Sequence, residues 1–458
     1  MKNLLVPELR ELLAEGSAEK MREFCQATHP ALVADFLSGL TTDEIREFLP
    51  CTEPHTRASI FGYLAIEHQL ELAATMTRTE LASIVSNMSH DERVDFIKRL
   101  PEAEADVLMP AIAQAEREDI RKLASYPEGT AGAVMTSDYA HLSPDITAAG
   151  AIDRLRLEAP DAETIYYAYV LNQERQLIGI ISLKDLILSA PHKLVRDMMH
   201  PEVVFVRIDE DQEEVVRQIE RYDLLAIPVI DGSGAMVGIV THDDALDIMR
   251  EEQTEDMERI MGLTGAVLEE DYLSVPPLVH FKRRAIWIVT LAGLSFVSGY
   301  IFQSFADTLG SMLILAFFMP MLVATGGNTG SQSATVIIRA LALDQLRASD
   351  ILMVLWKELR ISVMLSGLLV LVAMVRIFVL SPAGEFKGGF SSLQIATVVG
   401  LALGLQVISS TLIGAILPLA AFKAKLDPAV VASPALTTMV DITGLLIYFG
   451  TAKLLLGI

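Results

Sequence analysis

Residues 432–450, ASPALTTMVDITGLLIYFG, are apolar enough to cross a membrane, yet they carry a carboxylate, Asp441, at their centre. An acid at the middle of a bilayer costs roughly 2.5–3.5 kcal/mol on insertion scales, so something must offset it. One answer is a carboxyl that is protonated, or paired with Arg376; the other is a carboxylate that faces a wet path and meets a cation there. A second polar stretch favours the cation. In residues 319–340, MPMLVATGGNTGSQSATVIIRA, Gly326, Gly327 and Gly330 interrupt an apolar run, with Asn328, Thr329, Ser331 and Gln332 around them. Close helix packing alone would account for the glycines, but less well for the amides. Glycines also free carbonyls, and non-helical backbone at membrane depth survives only inside protein or along water. Carboxylate, amide, hydroxyl and carbonyl oxygens suit hard cations such as Mg2+, which keeps its waters and binds through one or two carboxylates. No His or Cys follows His280, which argues against a soft-metal site. One acid per chain is a thin site, and a dimer would supply two.

The other acids lie before the apolar region. Residues 1–280 hold 52 Asp and Glu against 24 Lys and Arg, while residues 281–458 hold 7 acids and 12 bases. An acidic half of that kind repels nucleic acid and attracts cations. The run 242–262, HDDALDIMREEQTEDMERIMG, crowds Asp243, Asp244, Asp247, Glu251, Glu252, Glu255 and Asp256 onto one helix. It is expected to face Asp211, Glu213 and Asp223. Like charges 4 Å apart repel by about 4 kcal/mol at an effective dielectric of ~20, so such surfaces meet when cations sit between them.

These residues need elements to place them. Five apolar segments, roughly 284–304, 311–341, 354–380, 391–421 and 430–456, are long enough to span. Basic residues fill the connections before the first, between the second and third, and between the fourth and fifth, which puts the acidic half in the cytoplasm and the C-terminus outside it. On these spans Asp441 lies about 16 Å deep, near the midplane. Cys25 and Cys51 show no metal-ligand spacing and fit a reducing compartment. The N-terminal residues are too acidic for a signal peptide.

Ahead of the membrane region two duplications are visible. LTTDEIREFLP (40–50) and MSHDERVDFIKRLP (88–101) repeat 48 residues apart, as in helical solenoids, with a capping box expected at Ser89 and Glu92. Between about 132 and 253 a second period near 60 places Gly179, Ser182 and Asp185 against Gly238, Thr241 and Asp244. Each triplet ends a β-rich run and opens a helix. It resembles a pair of CBS domains, in which the hydroxyl and acid of this motif contact ribose and phosphate. Helix capping by the same side chains is the competing reading.

The whole order resembles the MgtE family of magnesium channels, carried by GGNTGSQ (326–332) and DPAVVASPALTTMVDITG (427–444). The resemblance implies a multidomain fold. Its parts are an all-α helical-repeat N domain (1–130), an α+β tandem CBS pair (131–194 and 195–246), an acidic connecting or plug helix with its linker (247–275), and an α-helical membrane domain with five transmembrane helices (276–458). It also implies a homodimer in the cell membrane, with Asp441, Asn328 and Gly327 along a pore for hydrated Mg2+. Regulatory Mg2+ would bridge Asp91, Asp95, Asp211, Glu213, Asp223, Asp244, Asp247, Glu252, Glu255 and Asp256 to close it. ATP in the CBS cleft would use Asp185 and Tyr167.

Three other readings compete. An intramembrane aspartyl protease needs two acids at depth, and Asp441 stands alone, so no enzyme is expected. A channel or carrier for Co2+, Mn2+ or Ca2+ shares the same oxygens. A membrane-anchored Mg2+ or nucleotide sensor without flux would need the span-two glycines for packing only.

Overall fold

The computed structural model describes residues 6–15, 17–159, 162–265, 272–273, 275–306, 314–343, 345–380, 390–431 and 434–457. The chain divides into two compact units, Met1–Glu252 and Gln253–Ile458.

The first unit begins with short helices from Val6–Glu15 to Gln114–Leu123. Their repeat is 36 residues, not the 48 expected. Capping boxes form at Thr41 with Glu44 and at Thr77 with Glu80. Arg57 donates to the carbonyls of Leu49, Pro50 and Thr52, and Arg93 in the same way to Val85, Ser86 and Met88. The two segments matched at 48 residues fall on helices in different places within the repeat, Thr42–Phe48 and His90–Arg99. What recurs is an arginine closing the preceding helix turn, a signal weaker in sequence than the acid–Phe pairs. The expected box at Ser89 is also absent: Ser89 makes no cap bond to the backbone. Glu92 turns instead towards Gly62, where an added Cβ would come within 2.9 Å of its Oε2.

Six strands follow: β1 (Tyr139–Leu142), β2 (Thr164–Leu171), β3 (Leu177–Ser182), β4 (Val206–Arg207), β5 (Ala226–Ile230) and β6 (Met236–Thr241). They form two sheets, β1-β2-β3 and β4-β5-β6, each parallel at its first pair and antiparallel at its second. Helices Ala148–Glu158 and Gln212–Tyr222 make the parallel crossovers. The two repeats interlock. Thr136, entering the first, exchanges backbone hydrogen bonds with Ile239 of β6, and His200, entering the second, does so with Ile180 of β3. The motif glycines permit this, since a Cβ at Gly179 or Gly238 would meet Met199 or Met135 Sδ at 2.7 Å.

β6 runs straight into helix His242–Ile260, so the acidic helix starts five residues before the expected 247 and ends at Ile260. The boundary between the units falls within it.

Among the described residues the second unit holds five long helices: Pro277–Ser304, Ile314–Ala342, Ile351–Leu380, Ser392–Lys423 and Pro434–Leu456. By length and composition four of them can cross a membrane; Ile314–Ala342 is as long but is diluted by its GGNTGSQS stretch. Ser392–Lys423 is the central helix and buries seventeen residues, whereas Pro277–Ser304 buries none. The expected break at the glycines is not formed, because Ile314–Ala342 is continuous helix through Gly326, Gly327 and Gly330. The glycines serve close approach instead. A Cβ at Gly330 would lie 3.2 Å from the Ser410 carbonyl, and one at Gly414 would overlap the Gly330 carbonyl.

Candidate cation path and acidic cluster

Asp441 lies seven residues into helix Pro434–Leu456, about 10 Å from its first residue. The carboxylate is half-buried, and its Oδ1 is buried with no hydrogen-bond partner among the described residues. Arg376 does not supply one; its guanidinium lies over the Phe318 ring, 5.3 Å from the centroid. Around the acid the packing is set by small side chains. A Cβ at Gly327 would stand 3.4 Å from Thr437 Cγ2, and one at Gly330 would stand 3.3 Å from Val440 Cγ2. Gly327 is therefore covered by the Asp441 helix. Its neighbour Asn328 is exposed, on one face with Ala324, Ser331, Gln332 and Thr335. Polar side chains also tie the helices together. Thr329 and Ser410 share a 2.7 Å hydroxyl contact, Ser333 donates to Glu358 at 2.9 Å, and Gln406 donates to the Val440 carbonyl at 2.9 Å.

In the first unit the acids gather from three segments. Asp91 and Glu92 open helix His90–Arg99, Glu163 precedes β2, and Asp243 and Asp244 open helix His242–Ile260. Burial pushes the Asp91 carboxyl upward, with Asp243 adding to it. Glu92 is pushed up to about 7 by burial and then by Asp91, Asp95 and Asp243. Glu163 rises to about 7 by burial, then through Asp91 and Asp243. Asp244 rises to about 8 by burial and Asp91, against the bond from Thr241. Beside the cluster, His90 bridges Asp119 at 2.7 Å and Asp138 at 2.9 Å. Burial lowers its pKa, but the two carboxylates outweigh that and raise it to about 9. Among the described residues, no three His, Cys, Asp or Glu side chains stand close enough to hold a metal ion. The acids feel one another without having converged.

The remaining acids divide. Gln212, between Asp211 and Glu213, donates to Glu252 at 2.6 Å, so the acidic helix does meet that corner. Asp211 caps its helix and Glu213 pairs with Arg217. Asp223 terminates the same helix in a left-handed conformation, φ 51°, about 16 Å away, and is not brought to them. Asp247 is exposed and pairs with Arg250. Asp95 lies on helix His90–Arg99 and Asp256 on the acidic helix.

In the CBS pair Ser182 caps its helix, as the competing reading has it, while Thr241 makes only the reverse contact, its N–H and hydroxyl both donating to the Asp244 carboxylate. Ser182 accepts from Asp185 N and donates to its Oδ2 at 2.6 Å; Thr241 donates to Asp244 Oδ2 at 2.5 Å. Tyr167 sits opposite Ser182 across β2 and β3, against an apolar cluster of Tyr139, Tyr169, Ala226, Met236 and Ile239 drawn from both sheets.

Within the second unit, Arg259 near the end of the acidic helix joins Glu255 to Asp427, the latter at 2.6 Å. Arg283 grips Glu258 with both terminal nitrogens and donates to the Thr264 carbonyl. Gly262, φ 71°, lies flat against Trp287, leaving no room for a side chain.

Residues 319–451 match a family described as a divalent cation transporter, MgtE; residues 28–129 match the MgtE intracellular N domain, and 131–191 and 195–251 match CBS domains. The magnesium transporter MgtE of Thermus thermophilus is 36% identical over 461 residues, covering 100% of this chain and 99% of its own. The chain belongs to the MgtE family of magnesium transporters. The Bacillus subtilis magnesium transporter MgtE is 34% identical, with 92% and 87% covered. Among solved structures, the soluble part of a magnesium transporter matches at TM-score 0.52 with 31% identity, covering 54% of this chain and 97% of that one. The cytosolic domain of the Mg2+ channel MgtE in complex with ATP matches at TM-score 0.50 with 35% identity, covering 53% and 100%.

As MgtE members are transporters and not enzymes, the solitary Asp441 needs no second acid. Several polar residues of this MgtE chain escape a reading by motif: Gln406, Ser410 and Glu358 inside apolar helices, and Glu92, Glu163 and Arg259 outside them. For Gln406 and Glu358 the signal available was a lone amide or acid within a span. Glu163, in an unremarkable loop, had none.

Proposed function

We propose that the chain is a Mg2+-selective channel that imports Mg2+ across the cytoplasmic membrane and is closed by cytoplasmic Mg2+. Asp441 holds the hydrated ion, with Asn328 and Gly327 beside it. The observation that carries this reading is the Asp441 carboxylate, whose Oδ1 is buried and unpartnered on a helix packed by glycine against the one presenting Asn328. A structural carboxyl would have been given a donor. The chain works as a homodimer, bringing a second Asp441 to the same path, in a lipid bilayer. Its N-terminus and first unit face the cytoplasm and its C-terminus the other side, in keeping with the basic connections.

Closure follows from the acidic cluster. Asp91, Asp95, Asp244 and Asp247 on one side, and Asp211, Glu213 and Glu252 on the other, converge only when divalent ions offset their repulsion. Asp223, Glu255 and Asp256 complete the proposed regulatory set. ATP binds beside Tyr167 and Asp185, a reading supported by the solved relative whose cytosolic domain is in complex with ATP. The test is Mg2+ uptake into liposomes by the wild type and Asp441→Ala, at low and high Mg2+ on the soluble-domain face. Uptake that needs Asp441 and falls as that Mg2+ rises is the expected result. Wild-type protein that carries no Mg2+ under either condition would replace the channel with a sensor, and uptake preferring Co2+, Mn2+ or Ca2+ would replace the ion.

A further inference from the structure

We infer that Gln406 is a positioning residue that holds the stretch of helix around Asp441 in register with the helix carrying Asn328. Its consequence for ion passage rests on the pore reading above; the register itself does not.

Gln406 sits midway along the apolar central helix Ser392–Lys423 and is fully buried. Its Nε2 donates to the carbonyl of Val440, the residue just before Asp441. Two glycines, one on each neighbouring helix, make its space. A Cβ at Gly326 would stand 3.0 Å from the amide carbon, and one at Gly444 would stand 2.6 Å from Nε2, 2.9 Å from the amide carbon and 3.1 Å from Oε1. The amide therefore fills a slot cut into both partners at once.

A filler alone would be apolar. Oε1 of Gln406 is buried without a partner, and a half-satisfied amide in such surroundings costs more than a leucine of similar volume. What a leucine lacks is the N–H that selects one carbonyl on the Asp441 helix. Register matters here because a helix turns 100° and advances 1.5 Å per residue. A slip of one residue would carry Asp441 about a quarter-turn round its helix. The Thr329–Ser410 contact fixes only the Asn328 helix to the central one, and Tyr448, two turns beyond Asp441, donates to the Leu315 carbonyl at the far end of the Asn328 helix, so Gln406 is the polar contact that holds the Asp441 helix beside the acid itself.

The test separates the hydrogen bond from the packing. Gln406→Ala combined with Gly444→Ala returns volume to the slot without a donor; Gln406→Leu, which keeps the volume in one change, is the second variant. Both are made in full-length protein with Cys25 and Cys51 changed to Ser, and register is read by oxidative cross-linking of Gly327→Cys to Thr437→Cys. We expect at least tenfold slower cross-linking in both variants at an unchanged melting temperature. Cross-linking at the wild-type rate would overturn the inference. Mg2+ uptake by the same variants without the cross-linking cysteines should fall tenfold or lose its preference for Mg2+ over Ca2+. Lost register with unaltered uptake, or wild-type uptake indifferent to Asp441→Ala, would instead sink the pore reading and leave the positioning role standing.

Discussion

The two units treat their acids in opposite ways. The first gathers Asp91, Glu92, Glu163, Asp243 and Asp244 until burial and mutual repulsion hold several of them well above the usual carboxylate range. The second leaves Asp441 alone among glycines, hydroxyls and an amide. A crowd of half-neutralised acids responds to whatever cation or proton the solvent offers, so its geometry is conditional. A single acid framed by uncharged contacts between closely packed helices keeps one geometry. Response and path thus call for different packing, charge against charge in one case and backbone against backbone in the other.

The largest effect should come from the helix contacts. Gly414→Leu would drive a side chain into the Gly330 carbonyl and should cost about 3 kcal/mol or more, seen as loss of monodisperse protein and a lower melting temperature. Gly367→Ala, where a Cβ meets nothing within 4 Å, should be neutral or slightly stabilising. Equal effects at both sites would remove backbone approach as the organising feature.

Next comes pH. In the absence of divalent ions, raised carboxylates bind protons more tightly folded than unfolded, so their penalty appears as pH rises through about 7 to 8. His90 acts in the same direction: its stabilisation is complete below 6.5 and lost as pH rises through about 9. Hydrogen exchange in helix His90–Arg99, corrected for intrinsic rate, should slow roughly tenfold between pH 8 and pH 6, equivalent to about 1.4 kcal/mol. Asp244→Asn should flatten that response, and millimolar Mg2+ at pH 8 should mimic the lower pH. No change with pH would mean that the acids are already relieved by another route.

The smallest effect tests the end of the acidic helix. Arg259→Gln should speed exchange across residues 253–260 by about two- to fivefold, since partly exposed pairs contribute at most ~1 kcal/mol. A larger change would place that helix nearer to the first unit's conditional behaviour than to the second unit's fixed packing.

Much of this was legible beforehand, for identifiable reasons. The long helices stand close to the apolar segments because hydrocarbon demands length and composition, both local properties. The CBS repeats, with the Ser182 cap and the Thr241–Asp244 bond, follow from a glycine, hydroxyl and acid at fixed spacing. The 36-residue helical period was missed because its marker, Arg57 and Arg93 reaching carbonyls, is a contact and not a pattern. The expected break at Gly326–Gly330 was a misreading of residues whose only signal is smallness, which serves a kink and a close contact equally.

By itself, the sequence determined the division of charge, the apolar spans, the solitary Asp441 and the duplicated CBS motif. Each of these is written in a composition or a short spacing. Tertiary structure alone decided the crossing of each CBS entry strand onto the other repeat, the gathering of Glu163 with Asp91 and Asp243, and the slot that Gly326 and Gly444 open for Gln406. Those depend on which distant backbones come within a hydrogen bond's reach, and that distance is fixed only once the helices and sheets have packed.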